Sequence, residues 1–212
     1  MDVISAIKKI KNFQESLEHD SFDKNNSNSI KPFQKYEFLG DRVLGLIISE
    51  YLIQKFKSNN LDEISRRFIY LVRTATLFKI FKNSNLHDLF KHKLDPQSYK
   101  NSVYADALES LIGFLYIEKG LDFTKKIVLE LWKDELNTLP DKDPKTFIQE
   151  YSQKKFKTIP IYEVIQETGT KHKPLFKISL SLNELTVYAS GVSKQKAEVA
   201  AAKKMAKLLE NT

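Results

Sequence analysis

The spacing of apolar residues changes once along this chain, and that change limits what the chain can fold into. From Ile4 to about Leu136 apolar side chains recur three and four residues apart, as in Leu44, Ile47, Ile48 and Leu52, and again in Phe68, Leu71, Val72, Leu77 and Ile80. Such spacing lays an apolar stripe along each of a succession of helices. The interruptions, Asp23 to Ser29, Ser58 to Asn60 and Lys91 to Asn101, are polar. Thr138-Leu-Pro-Asp-Lys-Asp-Pro144 then brings two prolines and three charges, the composition of a linker. Beyond it, Lys145 to Lys155 reads as a helix, and Ile161 to Glu167, Leu175 to Leu182 and Leu185 to Ser190 as short strands. Turn signals stand at Thr168-Gly169 and Asn183-Glu184, and Ser193 to Leu209 returns to helix with Ala197, Ala200, Ala201 and Met205 on a close-packed face. The expected fold is an all-α domain over residues 1–137, a linker at 138–143, and a small α+β domain of order α-β-β-β-α over 144–212.

Charge is unevenly divided between these parts. The chain has 212 residues and a formal net charge of +7, and residues 140–212 hold 13 Lys against 8 Asp and Glu. A basic excess in the smaller domain suits a polyanion, either nucleic acid or an anionic membrane surface. The apolar run Val43 to Ile48 falls far short of a membrane span. Met1 to Leu17 lacks the apolar stretch and cleavage site of a secretory signal. Cysteine is absent, which excludes disulfides and thiolate metal sites. A cytoplasmic protein is expected.

Two of the predicted helices carry close pairs of acids among apolar neighbours. Glu37 and Asp41 lie four apart, and Asp106 and Glu109 three apart, so each pair shares a helix face. Like charges in a core repel and are costly unless a cation lies between them. Hard oxygen ligands without His or Cys favour Mg²⁺ or Mn²⁺. Two such ions roughly 4 Å apart would activate a water and stabilise the leaving oxygen of a phosphodiester. From spacing alone, carboxylates that are simply solvated or bonded to Lys and Arg are the commoner case.

The residues around the pairs narrow the choice. Tyr36-Glu-Phe-Leu-Gly-Asp-Arg-Val-Leu-Gly45 closely resembles the nuclease signature of the ribonuclease III family, and Tyr104-Ala-Asp-Ala-Leu-Glu-Ser-Leu-Ile-Gly113 resembles its second motif. Leu17-Glu-His-Asp-Ser-Phe22 is similar to the stretch preceding them, and Ile64-Ser-Arg-Arg-Phe68 to the helix between. The resemblance implies a double-stranded-RNA endonuclease with Mg²⁺ as cofactor, Mn²⁺ able to substitute, and Glu37, Asp41, Asp106 and Glu109 as metal ligands. Glu109 would be the central ligand and Asp41 would help position the attacking water. The family acts as a homodimer through the helical domain and leaves 5′-phosphate and 3′-hydroxyl ends, in processing of ribosomal and other structured precursor RNAs. Gln34 and Leu61 depart from acids the family usually has there, and Lys91 to Gln97 replaces a glycine-rich stretch.

Lys145-Thr-Phe-Ile-Gln-Glu150, Gly169-Thr-Lys-His172 and Gly191-Val-Ser-Lys-Gln-Lys-Ala197 resemble the three RNA-facing regions of a double-stranded-RNA-binding domain. Such a domain reads the shape of A-form RNA over about 16 base pairs. The resemblance implies Gln149 and Glu150 in one minor groove, His172 and Lys173 at the next, and Ser193, Lys194 and Lys196 at phosphates between them. Gln195 stands where a second basic residue is common, which predicts less salt-sensitive binding. The competing expectations are a non-catalytic RNA-binding protein and a regulator whose helical domain only dimerises. The four intact acids argue against both.

Overall fold

The computed structural model describes residues 2–22, 31–57, 60–94, 101–170 and 173–210. The chain divides into two compact units, residues 1–140 and 141–212. The first is helical: α1 (Val3–Lys8), α2 (Pro32–Lys55), α3 (Leu61–Val72), α4 (Thr74–Asn83) and α5 (Asn101–Leu131). Pro32 opens α2, where a missing N–H costs nothing and the fixed φ suits a helix. Asn60 caps α3 by accepting the Glu63 N–H at 2.9 Å. Gly120 breaks α5 with a φ of 73°, a backbone conformation that glycine adopts without steric cost.

Helices α2 and α5 form the centre of this unit. Val43, Leu44, Ile47, Ile48 and Leu52 of α2 are buried together with Ala107, Leu108, Leu111, Ile112 and Leu115 of α5. Each fully buried leucine or isoleucine contributes about 1.5–3 kcal/mol. The two helices touch backbone to backbone. A Cβ added at Gly40 would lie 1.8 Å from the Glu109 carbonyl oxygen, and one at Gly113 would lie 2.0 Å from that of Tyr36. The Tyr36 and Phe114 rings meet edge to face beside this crossing, 5.5 Å between centroids.

The chain after α5 is fastened onto α3. Trp132 is fully buried and donates its indole N–H to the Leu71 carbonyl at 2.9 Å. Arg67, stacked 4.0 Å over the Phe56 ring, donates to the carbonyls of Asn137 and Thr138 at 3.0 and 3.1 Å. Arg66 donates to the Pro140 carbonyl at 2.7 Å. Buried Glu135 accepts from Tyr70 and is ion-paired with Lys79. The opening residues of the expected linker are thus bonded to the helical unit.

The second unit runs α6 (Pro144–Phe156), β1 (Ile161–Thr170), β2 (Lys173–Leu182), β3 (Leu185–Gly191) and α7 (Lys194–Glu210). The α-β-β-β-α order expected from sequence is the observed one. Its strands form an antiparallel sheet in sequence order. Leu180, Leu182 and Ala189 pack against Ile148 of α6 and Ala201, Ala202 and Met205 of α7. The first hairpin is longer than expected: pairing passes Thr168 and Gly169 and continues to Thr170 opposite Lys173. A register shift between Val164 and Gln166 marks a bulge inside β1. No helix among the described residues is long and apolar enough to cross a membrane.

Replacing Gly40 with alanine should force α2 and α5 apart. The expected cost is at the upper end of overpacking effects, about 3 kcal/mol, read as a lower midpoint in urea or thermal denaturation.

Candidate active site

The helix crossing brings the acids of both motifs to one place. Glu37 lies one turn before Gly40 on α2, and Asp106 and Glu109 lie on the turns of α5 preceding Gly113. One carboxylate oxygen from each of Glu37, Asp106 and Glu109 lies within 4.8 Å of the others, and all three residues are half-buried. Asp41 is outside this group. Its carboxylate is exposed and pairs with Arg42 at 2.7 Å. Arg42 is itself held 4.0 Å over the Phe38 ring and donates to the Phe38 carbonyl at 3.0 Å.

The electrostatics match this crowding. Burial, followed by the negative charges of Asp41, Asp106 and Glu37, pushes the Glu109 carboxyl up to about 8, while Arg42 opposes the rise. Burial also raises Glu37, which feels Asp106, Asp20 and Asp41 in turn, and burial raises Asp106. Without a cation the cluster therefore holds a proton at neutral pH. A divalent cation fits the same donor set, whose three contributed atoms are all carboxylate oxygens.

Asp20 was not among the residues singled out from sequence, although it lies inside the Leu17 to Phe22 block. A short ladder positions it: the Lys91 N–H bonds Leu17, and the His19 N–H bonds Lys91, at 2.8 and 2.9 Å. His19 meets the Phe33 and Phe90 rings edge to face, and its Nδ1 accepts the Ser21 N–H at 3.1 Å. Gly40 and Gly113 were also missed as determinants of the site. The available signal was a glycine interrupting each apolar helix beside an acid pair.

The expected RNA contacts fall on the second unit. Gln149 and Glu150 are exposed on α6, and Glu150 is ion-paired with Lys142. Lys173 opens β2 opposite Thr170. The Ser193 hydroxyl accepts the Lys196 N–H at 3.2 Å at the start of α7, where Lys194 and Lys196 are exposed. His172 lies outside the described residues.

A half-buried carboxylate cluster on a helical unit, followed by an α-β-β-β-α unit, is the arrangement that the resemblance to a metal-dependent nuclease joined to an RNA-binding module implies. Comparison with known proteins gives the same class. Residues 34–120 match the Ribonuclease III domain and residues 144–209 the Double-stranded RNA binding motif. A protein of Pelagibacter ubique named Ribonuclease 3 is 40% identical over 90% of this chain and 86% of its own length. Its Campylobacter fetus counterpart is 35% identical over 91% and 88%. The solved ribonuclease III nuclease domain of Campylobacter jejuni, described as having flexibility in a region involved in dimer formation, is 30% identical over 63% of this chain and 96% of that one, with a TM-score of 0.54. The chain belongs to the ribonuclease III family, whose members are metal-dependent endoribonucleases of double-stranded RNA.

The Glu109 proton makes a testable link between pH and stability. In the unfolded chain the carboxyl releases its proton near 4.5, and in the folded, metal-free protein near 8. Between these values the folded state binds the extra proton, so stability falls as pH rises through the window. The Tm of metal-free protein should drop across it, and the increment from added Mg²⁺ should grow. A Glu109→Gln variant should show a shallower slope and, at the alkaline end of the window, melt higher than the wild type without metal.

Proposed function

We propose that this chain is a Mg²⁺-dependent endonuclease that hydrolyses phosphodiester bonds in double-stranded RNA, leaving 5′-phosphate and 3′-hydroxyl ends. The observation that carries this reading is the convergence of Glu37, Asp106 and Glu109. These residues would hold the ion, with Glu109 at its centre because it is the most strongly destabilised as a free anion. Mn²⁺ would be accepted by the same oxygen donors. When bound, the ion supplies charge stabilisation for the phosphorane-like transition state and lowers the pKa of water. Asp41, at the exposed edge of the cluster, accepts a hydrogen bond from the attacking water and aligns it. Arg42 keeps that carboxylate in place.

In this reading residues 1–137 are the nuclease and 138–143 the connection. Residues 144–212 bind duplex through Gln149, Glu150, His172, Lys173, Ser193, Lys194 and Lys196. The enzyme works in the cytoplasm on ribosomal and other structured precursor RNAs. It acts as a homodimer through the helical domain. Support for the dimer comes from an exposed apolar face: Phe38, Leu46 and Ile53 on α2, 54–66% exposed, beside Leu61 and Ile69 on α3, 62–76% exposed. An apolar patch of that kind rarely faces water in a monomer.

With Mg²⁺ and a perfectly paired RNA of a few helical turns, the wild type should cut and yield 5′-phosphate ends. Glu109→Gln should retain duplex binding and lose cleavage; an active variant would overturn the assignment of the ion to this cluster. Light scattering should report twice the chain mass, and Leu61→Asp with Ile69→Asp should shift it toward a monomer.

A further inference from the structure

A groove of about 810 Å³ lies within the second unit, between the residues that lead into α6 and the C-terminal half of α7. Its walls carry Lys142, Lys203, Lys204 and Lys207 with Asp141 and Asp143, and Phe147 and Ala206 supply apolar surface. The volume is in the range of sites that hold small organic ligands. It is separate from the expected duplex contacts at the first turn of α7. Lys207 lies eleven residues beyond Lys196, about 16 Å along the helix axis.

The charges in the groove are not equivalent. Asp143 is the cap of α6, its carboxylate accepting the Lys145 and Thr146 N–H groups, both at 3.0 Å. Lys142 is tied to Glu150. The α7 lysines are exposed, and Lys204 uses one of its three protons on the Tyr188 carbonyl at 2.8 Å. Lys203 and Lys207, four apart, stack on one side of the helix. Phe147 is half-buried, so part of its ring is accessible in the groove. Cations along a groove beside a partly accessible aromatic ring are features that hold single-stranded nucleic acid, phosphates on the cations and a base on the ring. A duplex offers phosphates but no free base face.

We propose that this groove binds a single-stranded RNA segment flanking the duplex, with its phosphates on Lys203, Lys204 and Lys207 and a base stacked on Phe147. The proposal rests on the reading of the chain as a double-stranded-RNA enzyme and adds a second substrate feature to it. A duplex with a single-stranded extension would then be held more tightly than a blunt one, which favours stems embedded in longer transcripts.

The test compares a blunt duplex, the same duplex with a 3′ extension of adenosines, and the extension alone, by fluorescence anisotropy with the full chain in EDTA. The extension should tighten wild-type binding by about tenfold, as expected for one stacked base and a few phosphate contacts. It should steepen the dependence of log affinity on log salt by about 2, the value for three single-strand phosphates. Lys203→Gln with Lys207→Gln should lose most of the gain, and Phe147→Leu should lose the part that disappears with an abasic extension. Unchanged blunt-duplex affinity in the lysine variant, and an unchanged melting midpoint in Phe147→Leu, report an intact fold. No gain from the extension in the wild type, or a full gain in the lysine variant, would overturn the groove. A wild type that fails to bind the blunt duplex counts against the duplex reading, and the extension alone still decides the groove.

Discussion

The direct backbone contact between α2 and α5 is the constraint from which the rest of the nuclease unit follows. With any side chain at Gly40 or Gly113 the helices could not cross where they do, since the nearest opposing atoms are main-chain carbonyls. Helices usually pack with axes about 8–10 Å apart. An approach close enough for one main chain to meet the other brings acids on adjoining turns within reach of a single ion. Half a turn of slip in either helix would leave Glu37 facing apolar side chains. The apolar face that sets the crossing and the acids that use it are therefore one design, read from two sides of the same helices.

That arrangement is maintained against its own electrostatics. Three partly buried carboxylates repel, and the positive charge that Glu109 feels comes from Arg42, which is itself paired with Asp41. The fold offsets this with a large apolar core and with polar bonds remote from the site. Arg66, Arg67 and Trp132 fix the end of the unit to α3, and Glu135 is held by Tyr70 and Lys79. A cation in the cluster would turn that repulsion into attraction.

The helical class, the change to α-β-β-β-α and the two acid motifs were legible in the sequence because each rests on local periodicity. Thr168 to Thr170 was not legible as strand, since Thr168-Gly169 carries a turn signal and only pairing with Lys173 to Leu175 keeps it extended. Asp41 looked equivalent to Glu37 by helical spacing, yet one further turn carries it past the crossing to an exposed position beside Arg42. Asp20 reaches the site through a ladder between residues 17–19 and 91, a pairing of segments far apart in sequence. Arg67 reads as an ordinary surface charge on α3, and only the returning chain at Asn137 and Thr138 makes it a buried anchor.

The same distinction applies to the lysines of the second unit. A net charge treats them as interchangeable, but Lys145 is paired with Glu198 and stacked 5.1 Å over Tyr162, joining α6, α7 and β1. Lys142 is paired with Glu150, and Lys155 donates to Tyr151. These cations hold the domain together and have less to offer a phosphate. Those at the start of α7 and along its outer side remain exposed. The salt dependence of binding should therefore count the exposed lysines that meet phosphate, on α7 and at Lys173, not the excess of basic over acidic residues.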